Sequence, residues 1–239
     1  MIELQHVTKQ YATQNSNKFV NALVDVSLFI DKGEFVFLTG QSGEGKTTFL
    51  RHLFFDENPT FGKVVVCGHE NSPFHSLRSV QKARPKLRRK MGIVFQDIRL
   101  LADRTVYENV AFAARIGGGT ERSVKRRVFD ILSVVGLTHK HLNYPAQLSG
   151  GEQQRIAIAR AIVNEPLILI ADEPTGNLDR KISDDIFELL QEIHSWGTTV
   201  VMSTHDLSFV NRTHYRQIVL EKGLVKKGSG SRLLFDRGT

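Results

Sequence analysis

Cysteine is nearly absent. The 239 residues hold one, Cys67 in VVVCG, so no disulfide forms within the chain and a small cross-linked scaffold is excluded. Its apolar neighbours predict a buried, inert thiol and leave no place for redox chemistry. Long apolar runs are missing as well. The longest, such as Phe35 to Leu38 and Leu167 to Ala171, reach four or five residues, against the roughly 20 that a membrane-spanning helix needs. The opening MIELQHVTKQ is too polar for the apolar core of about 7 to 15 residues in a signal peptide, which makes a cytoplasmic protein the expectation. What remains is an ordinary globular composition, 41% hydrophobic and 24% charged, enough for a substantial core and incompatible with wholesale disorder.

One charge sign dominates: 32 Lys and Arg against 25 Asp and Glu give a net charge of +7. Such an excess suits an anionic partner, whether nucleic acid, a lipid surface or a phosphorylated ligand. Seven basic residues fall between Arg78 and Lys90, three in Lys125 to Arg127, and the end of the chain carries Lys226, Lys227, Arg232 and Arg237. The plainest reading is solvated helix faces and a loose tail, so charge alone selects no function.

The hydrophobic pattern predicts an α/β core. Phe35 to Leu38, Leu167 to Ala171 and Thr198 to Met202 are short apolar runs of the kind found in parallel strands covered on both faces. Helices are expected from Lys46 onward, with Phe49, Leu50, Leu53 and Phe54 on one face, and over Ile182 to Trp196, with Ile186, Leu189, Leu190 and Ile193 in one stripe. Strands at Ile2 to Val7, Ala22 to Ile30 and Lys63 to Cys67 predict a small antiparallel sheet beside the core. Asp97 to Gly150 reads as a helical insertion with helices over Val106 to Ala114 and Val124 to Val135. A final hairpin turns through Glu221-Lys222-Gly223, and GSGSR opens a mobile tail.

Gly40-Gln41-Ser42-Gly43-Glu44-Gly45-Lys46-Thr47 fits the phosphate-loop pattern G-x-x-x-x-G-K-[ST] and stands between a buried strand and a helix. By composition alone the bare pattern arises in roughly one chain per hundred of this length. Its glycines let successive backbone N–H groups turn toward a polyphosphate at the positive end of a helix. Lys46 supplies a cation for the β- and γ-phosphates, Thr47 a hydroxyl for Mg²⁺, and Thr48 a hydrogen bond to the α-phosphate. The loop is expected to bind a nucleotide. Glu44 beside a triphosphate is repelled unless it points away, and an outward side chain is expected.

The buried run Leu167 to Ala171 ends in Asp172 and Glu173, 126 residues beyond Lys46. Four apolar residues followed by Asp-Glu is the Walker B form. Asp172 would hold Mg²⁺ through its water shell, and Glu173 would act as general base on the attacking water. Leu148-Ser149-Gly150-Gly151-Glu152, 23 residues before Asp172 counted from Ser149, opens a helix and reads as a second anion cradle.

With these motifs the chain resembles the ATP-binding cassette family, whose signature is the LSGGE string, and the resemblance covers nearly its whole length. Gln96 in VFQD is similar to the Q-loop glutamine, a further Mg²⁺ and γ-phosphate contact. Gly176-Asn177-Leu178-Asp179 is similar to the D-loop, His205 in STHD to the switch histidine, and Tyr11 to the aromatic that stacks on adenine. The resemblance implies a P-loop NTPase core of the RecA type with an antiparallel β subdomain and a helical insertion. It implies one domain over residues 1–225: a core at 1–95 and 155–225, a helical signature subdomain at 96–154, then a basic tail at 226–239. It also implies that two copies sandwich ATP head to tail, with Ser149, Gly150 and Gly151 of one copy facing the γ-phosphate held by Lys46 of the other, and with Asp179 shaping the opposing site.

VFQDIRLLADRTVYENVAF, NPTFGKVVVCGHE and ADEPTGNLD look like the cell-division branch of the family. That implies an FtsX-like integral membrane partner, a place on the cytoplasmic face of the membrane at the division septum, and activation of cell-wall hydrolases. Leu100, Leu101 and Tyr107 would either line the groove that receives the partner's cytoplasmic helix or belong to the core of the insertion, and the basic segments would favour anionic lipid beside the partner. Two alternatives stay open: the ATPase of a lipoprotein-releasing or macrolide exporter, and a soluble cassette ATPase acting on nucleic acid, less favoured because such proteins carry two cassettes or a long coiled coil.

Overall fold

The computed structural model describes residues 1–12, 19–73 and 84–226. The chain starts with β1 (Ile2–Ala12), β2 (Phe19–Ile30), β3 (Phe35–Thr39), α1 (Lys46–Leu53), β4 (Phe61–Val66) and β5 (His69–Asn71). It continues with β6 (Met91–Val94), α2 (Val106–Ile116), α3 (Glu121–Val134), α4 (Gly150–Ile162), β7 (Ile168–Asp172) and α5 (Arg180–Ser195). It closes with β8 (Thr199–Thr204), α6 (Leu207–Asn211), β9 (Arg216–Glu221) and β10 (Leu224–Lys226). Two compact units result, residues 1–88 with 201–239, and residues 89–200.

In the first unit, β2, β1, β4 and β5 form an antiparallel sheet in that order. Period-two alternation sets its register. Ile2 and Leu4 stand opposite Ile30 and Leu28 on one side and Val66 and Val64 on the other, and all six are fully buried. The alternation slips by one residue between Leu4 and Val7, where the ladder is irregular. Near that slip His6 and Asp25 both take left-handed backbone, with φ of 50° and 46°, and His6 Nδ1 lies 2.8 Å from Asp25 Oδ1. Every residue of β3 is buried, as a parallel strand requires, and β3 runs parallel to β9, with Leu38 opposite Ile218. β9 turns back into β10 through Lys222 and Gly223, both at positive φ.

In the second unit β6 and β7 pair in parallel, Met91 opposite Ile168 and Val94 opposite Ala171. The helices start where side chains supply caps: Thr105 with Glu108 in a capping box for α2, Thr120 for α3 and Asp179 for α5. The predicted stripe of α5, Ile186, Leu189, Leu190 and Ile193, is buried. α2 and α3 cover the two helices expected in the insertion. Parallel strands with helices, beside an antiparallel sheet, meet the α/β expectation.

Several local expectations need correction. β1 runs on to Ala12 rather than stopping at Val7, which places Tyr11 within the ladder opposite Val20. β4 ends at Val66, because Cys67 and Gly68 turn the chain at φ 50° and 77°. Cys67 is therefore half-buried rather than buried. Arg127 is no solvated helix cation: its guanidinium donates to Asn164 Oδ1 at 2.7 Å and to the carbonyls of Ala114 and Gly118. Arg88 pairs with Asp56 at 3.0 Å, and Lys226 with Glu221 at 3.7 Å. Arg78, Lys82, Lys227, Arg232, Arg237 and the GSGSR tail lie outside the described residues. Among the described residues no helix is long and apolar enough to cross a membrane.

Candidate functional site

The first unit carries the lysine-bearing loop between β3 and α1. Gly45 is the N-cap of α1 at φ 100°, and no side chain caps the helix. Glycine is required there, since a Cβ would stand 2.2 Å from the Ala22 carbonyl oxygen. The first turn of α1 contains no acidic residue, so its backbone donors and positive dipole end suit an anion. Lys46 is almost fully buried, and its Nζ donates to the carbonyls of Gly40 at 2.8 Å and Gln41 at 3.1 Å. The ammonium is thus held at the loop by its own backbone. Thr47 is exposed and Thr48 half-buried. Glu44 is half-buried, its carboxylate accepting from the Lys222 backbone N–H in the β9–β10 turn.

Tyr11 stands beside this loop. Its hydroxyl lies 3.4 Å from Thr48 Oγ1 and donates to Glu57. Glu57 also receives Arg51 at 3.0 Å and Lys9 at 3.4 Å, and Lys9 Nζ sits 5.1 Å from the Tyr11 ring centroid. Burial and the bond to Glu57 push the Tyr11 phenol above its ordinary value. Burial works to raise the Glu57 carboxyl, but the bonds from Tyr11, Arg51 and Lys9 outweigh it and hold the group below the usual range. His205 is exposed at the end of β8, just before Asp206, which caps α6 by accepting from the Ser208 N–H at 2.8 Å.

The second unit carries the remaining candidates. Asp172 is the last residue of β7. Glu173 follows at φ 45°, a left-handed conformation that costs a non-glycine residue about 1–3 kcal/mol and is typical of functional positions. Gln96 is exposed in the turn after β6. Ser149 is the N-cap of α4 in a capping box: its hydroxyl accepts from the Glu152 N–H at 3.3 Å, while Glu152 Oε2 accepts from the Ser149 N–H at 2.9 Å. The Lys140 ammonium, 2.5 Å from Glu152 Oε1, and the Ser149 N–H hold this carboxyl below its ordinary range. Asp179 Oδ1 caps α5 by accepting from the Ile182 N–H at 3.0 Å.

The structure brings the signature turn against the segment that ends in Asp179. A Cβ on Gly150 would lie 3.6 Å from Leu178 Cδ2, and one on Gly151 only 2.5 Å from Ile182 Cγ2. Gly151 is therefore also a packing requirement. Sequence reasoning missed Glu57, Lys140, Asn109 and Arg160. Asn109, fully buried, pins residues 101–105 by accepting from the Leu101 N–H and donating to the carbonyls of Leu101, Arg104 and Thr105. Arg160 donates to the carbonyls of Arg99 at 2.7 Å and Ile98 at 3.1 Å. Its only signal in the sequence is a charge inside the apolar run Ile156 to Val163. Of the proposed groove residues, Leu101 is exposed, whereas Tyr107 packs on Phe129 with ring centroids 5.8 Å apart.

A family model described as ABC transporter matches residues 23–176. The chain belongs to the ATP-binding cassette family. The cassette is 51% identical over 223 residues to the cell division ATP-binding protein FtsE of Mycobacterium tuberculosis, covering 93% of each chain. It is 44% identical to FtsE of Escherichia coli, covering 96% of this chain and 99% of that one. Among solved structures it is similar to a dimeric ATP-binding cassette in a post-hydrolysis state bound to ADP and Pi, with a TM-score of 0.83, 35% identity and full coverage of both chains. The cassette is an ATPase with the P-loop NTPase fold of this family, and it binds nucleotide.

Proposed function

We propose that the cassette is the ATP-hydrolysing subunit of an FtsE/FtsX-type complex in bacterial cell division, where ATP-driven closure of two copies acts on a membrane partner that activates cell-wall hydrolases. The observation that carries this reading is full-length similarity to proteins named for cell division. It favours this reading over the exporter and nucleic-acid alternatives. Pairing of two copies is supported by the dimeric neighbour. The membrane contact, on the cytoplasmic face and at the septum, is through an FtsX-like protein.

In this reading residues 1–225 form one domain, with the core at 1–95 and 155–225 and the signature subdomain at 96–154. Gly40 to Lys46 cradle the triphosphate through backbone N–H groups and the lysine ammonium, Thr48 bonds the α-phosphate, and Tyr11 stacks on adenine. Thr47, Gln96 and Asp172 offer a hydroxyl, a carboxamide and a carboxylate, all hard oxygen donors of the kind Mg²⁺ takes alongside water. Bound magnesium would neutralise charge on the β- and γ-phosphates. Glu173 takes the proton of the attacking water, and His205 donates to the γ-phosphate. Ser149, Gly150 and Gly151 approach that phosphate from the second copy, beside Asp179.

Co-purification with an FtsX-like protein tests the proposal. The Glu173→Gln chain is expected to pair on that partner when ATP is added and to release only after nucleotide is removed. Hydrolysis by a lone chain at an unchanged rate, with no association with the membrane protein, would contradict it.

A further inference from the structure

The loop that follows Gln96 is folded tightly on itself. The Ile98 N–H donates to the Phe95 carbonyl at 3.2 Å and the Arg99 N–H to the Asp97 carbonyl at 2.5 Å. The Arg99 side chain reaches back to Asp97 at 2.8 Å and lies 4.3 Å from the Phe95 ring centroid. This leaves two successive residues in left-handed backbone, Ile98 at φ 53° and Arg99 at φ 52°. For a β-branched residue such as Ile98 that conformation is a true outlier and needs an outside hold. The hold comes from α4. Arg160 Nη1 donates to the Arg99 carbonyl at 2.7 Å and Nη2 to the Ile98 carbonyl at 3.1 Å, one nitrogen for each strained residue. Among the described residues Arg160 has no carboxylate partner. Arg160 is half-buried, and burial lowers its ordinarily very high pKa, so a partly desolvated charge meets two backbone oxygens.

We propose that Arg160 is the positioning residue of the Gln96 loop: its guanidinium fork locks the left-handed pair Ile98–Arg99 and thereby ties Gln96 to the helix that begins at the signature turn. Arg160 lies ten residues beyond Gly150, about 15 Å along the helix axis. Any displacement of the signature turn that moves α4 as a body then reaches the Gln96 loop through this fork. Asn109 fixes the next stretch, residues 101–105, to α2, so the loop from 98 to 105 is anchored at two places. The inference deepens the proposed role of Gln96 and rests on it.

The test compares the full chain with Arg160→Met and Arg160→Lys, each with Ile98 and with Ile98→Gly, since glycine adopts positive φ without strain. With Ile98 present, Arg160→Met is expected to lower kcat for ATP hydrolysis about tenfold while KM for ATP stays within about twofold, with Arg160→Lys intermediate because one amine replaces a two-pronged fork. In the Ile98→Gly background the cost of Arg160→Met is expected to shrink to under about threefold, a coupling that loss of general stability does not produce. Hydrogen exchange is the second readout: amides 96–101 lose protection in Arg160→Met while those of α4 keep theirs. The proposal is overturned if kcat is unchanged in Arg160→Met, if KM rises in step with the fall in kcat, or if the cost is equal in both backgrounds. A parent chain without ATPase activity would count against the function proposed above. The exchange measurement would still decide on Arg160: unchanged protection of 96–101 would refute it.

Discussion

The starts of α1 and α4 are both glycine-bearing turns that open a helix, yet they are capped in opposite ways. α1 begins at Gly45 with no side-chain cap and no acid in its first turn, an arrangement that suits an anion. At α4, Ser149 and Glu152 consume two of the four orphan donors in a capping box, and Lys140 balances the carboxylate. In the proposed function the first, open because no side chain caps it, is the phosphate cradle. The second is largely self-satisfied, with a glycine pair packed on Leu178 and Ile182. In the proposed function tight nucleotide binding therefore falls to the lysine-bearing loop, and the signature turn contributes a weaker contact when a second copy closes on it.

The largest effect expected is at the open cradle. Lys46→Ala should raise the Kd for ATP on the order of 100-fold, as loss of charge-assisted bonds implies, whereas Ser149→Ala should leave the Kd of a single chain within about twofold. Calorimetric titration of both variants measures the contrast. Next comes Gly151→Ala, which drives a methyl into Ile182 and should cost about 1–3 kcal/mol of stability. Ile182→Ala in the same chain should restore most of that loss in a urea melt, which a purely phosphate-binding role for Gly151 would not allow.

A smaller effect follows from Lys140. The Glu152 carboxyl is held below its ordinary range in the folded chain, so its contribution is present at pH values above the ordinary carboxylate range and is lost as pH falls through the lowered folded value. Lys140→Met should therefore lower Tm at neutral pH, by a difference worth under about 1 kcal/mol, and the difference should vanish in acid. The smallest effect is expected at Glu44. With its carboxylate occupied by the Lys222 N–H, Glu44→Ala should shift the Kd for ATP by less than about twofold. A marked tightening would place that charge against the phosphates instead.

These contrasts also mark how far the sequence alone reaches. The order strand, loop, helix around Gly40 to Thr47 and the strand ending at Asp172 are legible because motif, periodicity and short range coincide. The capping box at Ser149 is written locally as Ser-x-x-Glu, but it sits inside a string that reads more readily as an anion site. What escaped the sequence is contact across long separations: Glu44 with Lys222, Tyr11 with Glu57, Arg160 with the Ile98–Arg99 carbonyls. Left-handed backbone at Ile98 and Glu173 was also illegible, because neither residue type prefers it and tertiary bonds impose it. The antiparallel sheet is legible in the sequence but its full extent is not. β1 continues to Ala12 through exposed and half-buried residues, where alternation no longer signals a strand.

Equilibrium binding of ATP with magnesium, measured together with sedimentation of the Glu173→Gln chain, tests the division of labour between the two cradles most directly. The account predicts that Lys46→Ala weakens nucleotide binding on the order of 100-fold, while Ser149→Arg still binds nucleotide as a single chain but no longer pairs when ATP is added. If Ser149→Arg weakened single-chain binding as much as Lys46→Ala, or if pairs formed equally well without ATP, the distinction between an open and a self-satisfied cradle would be wrong.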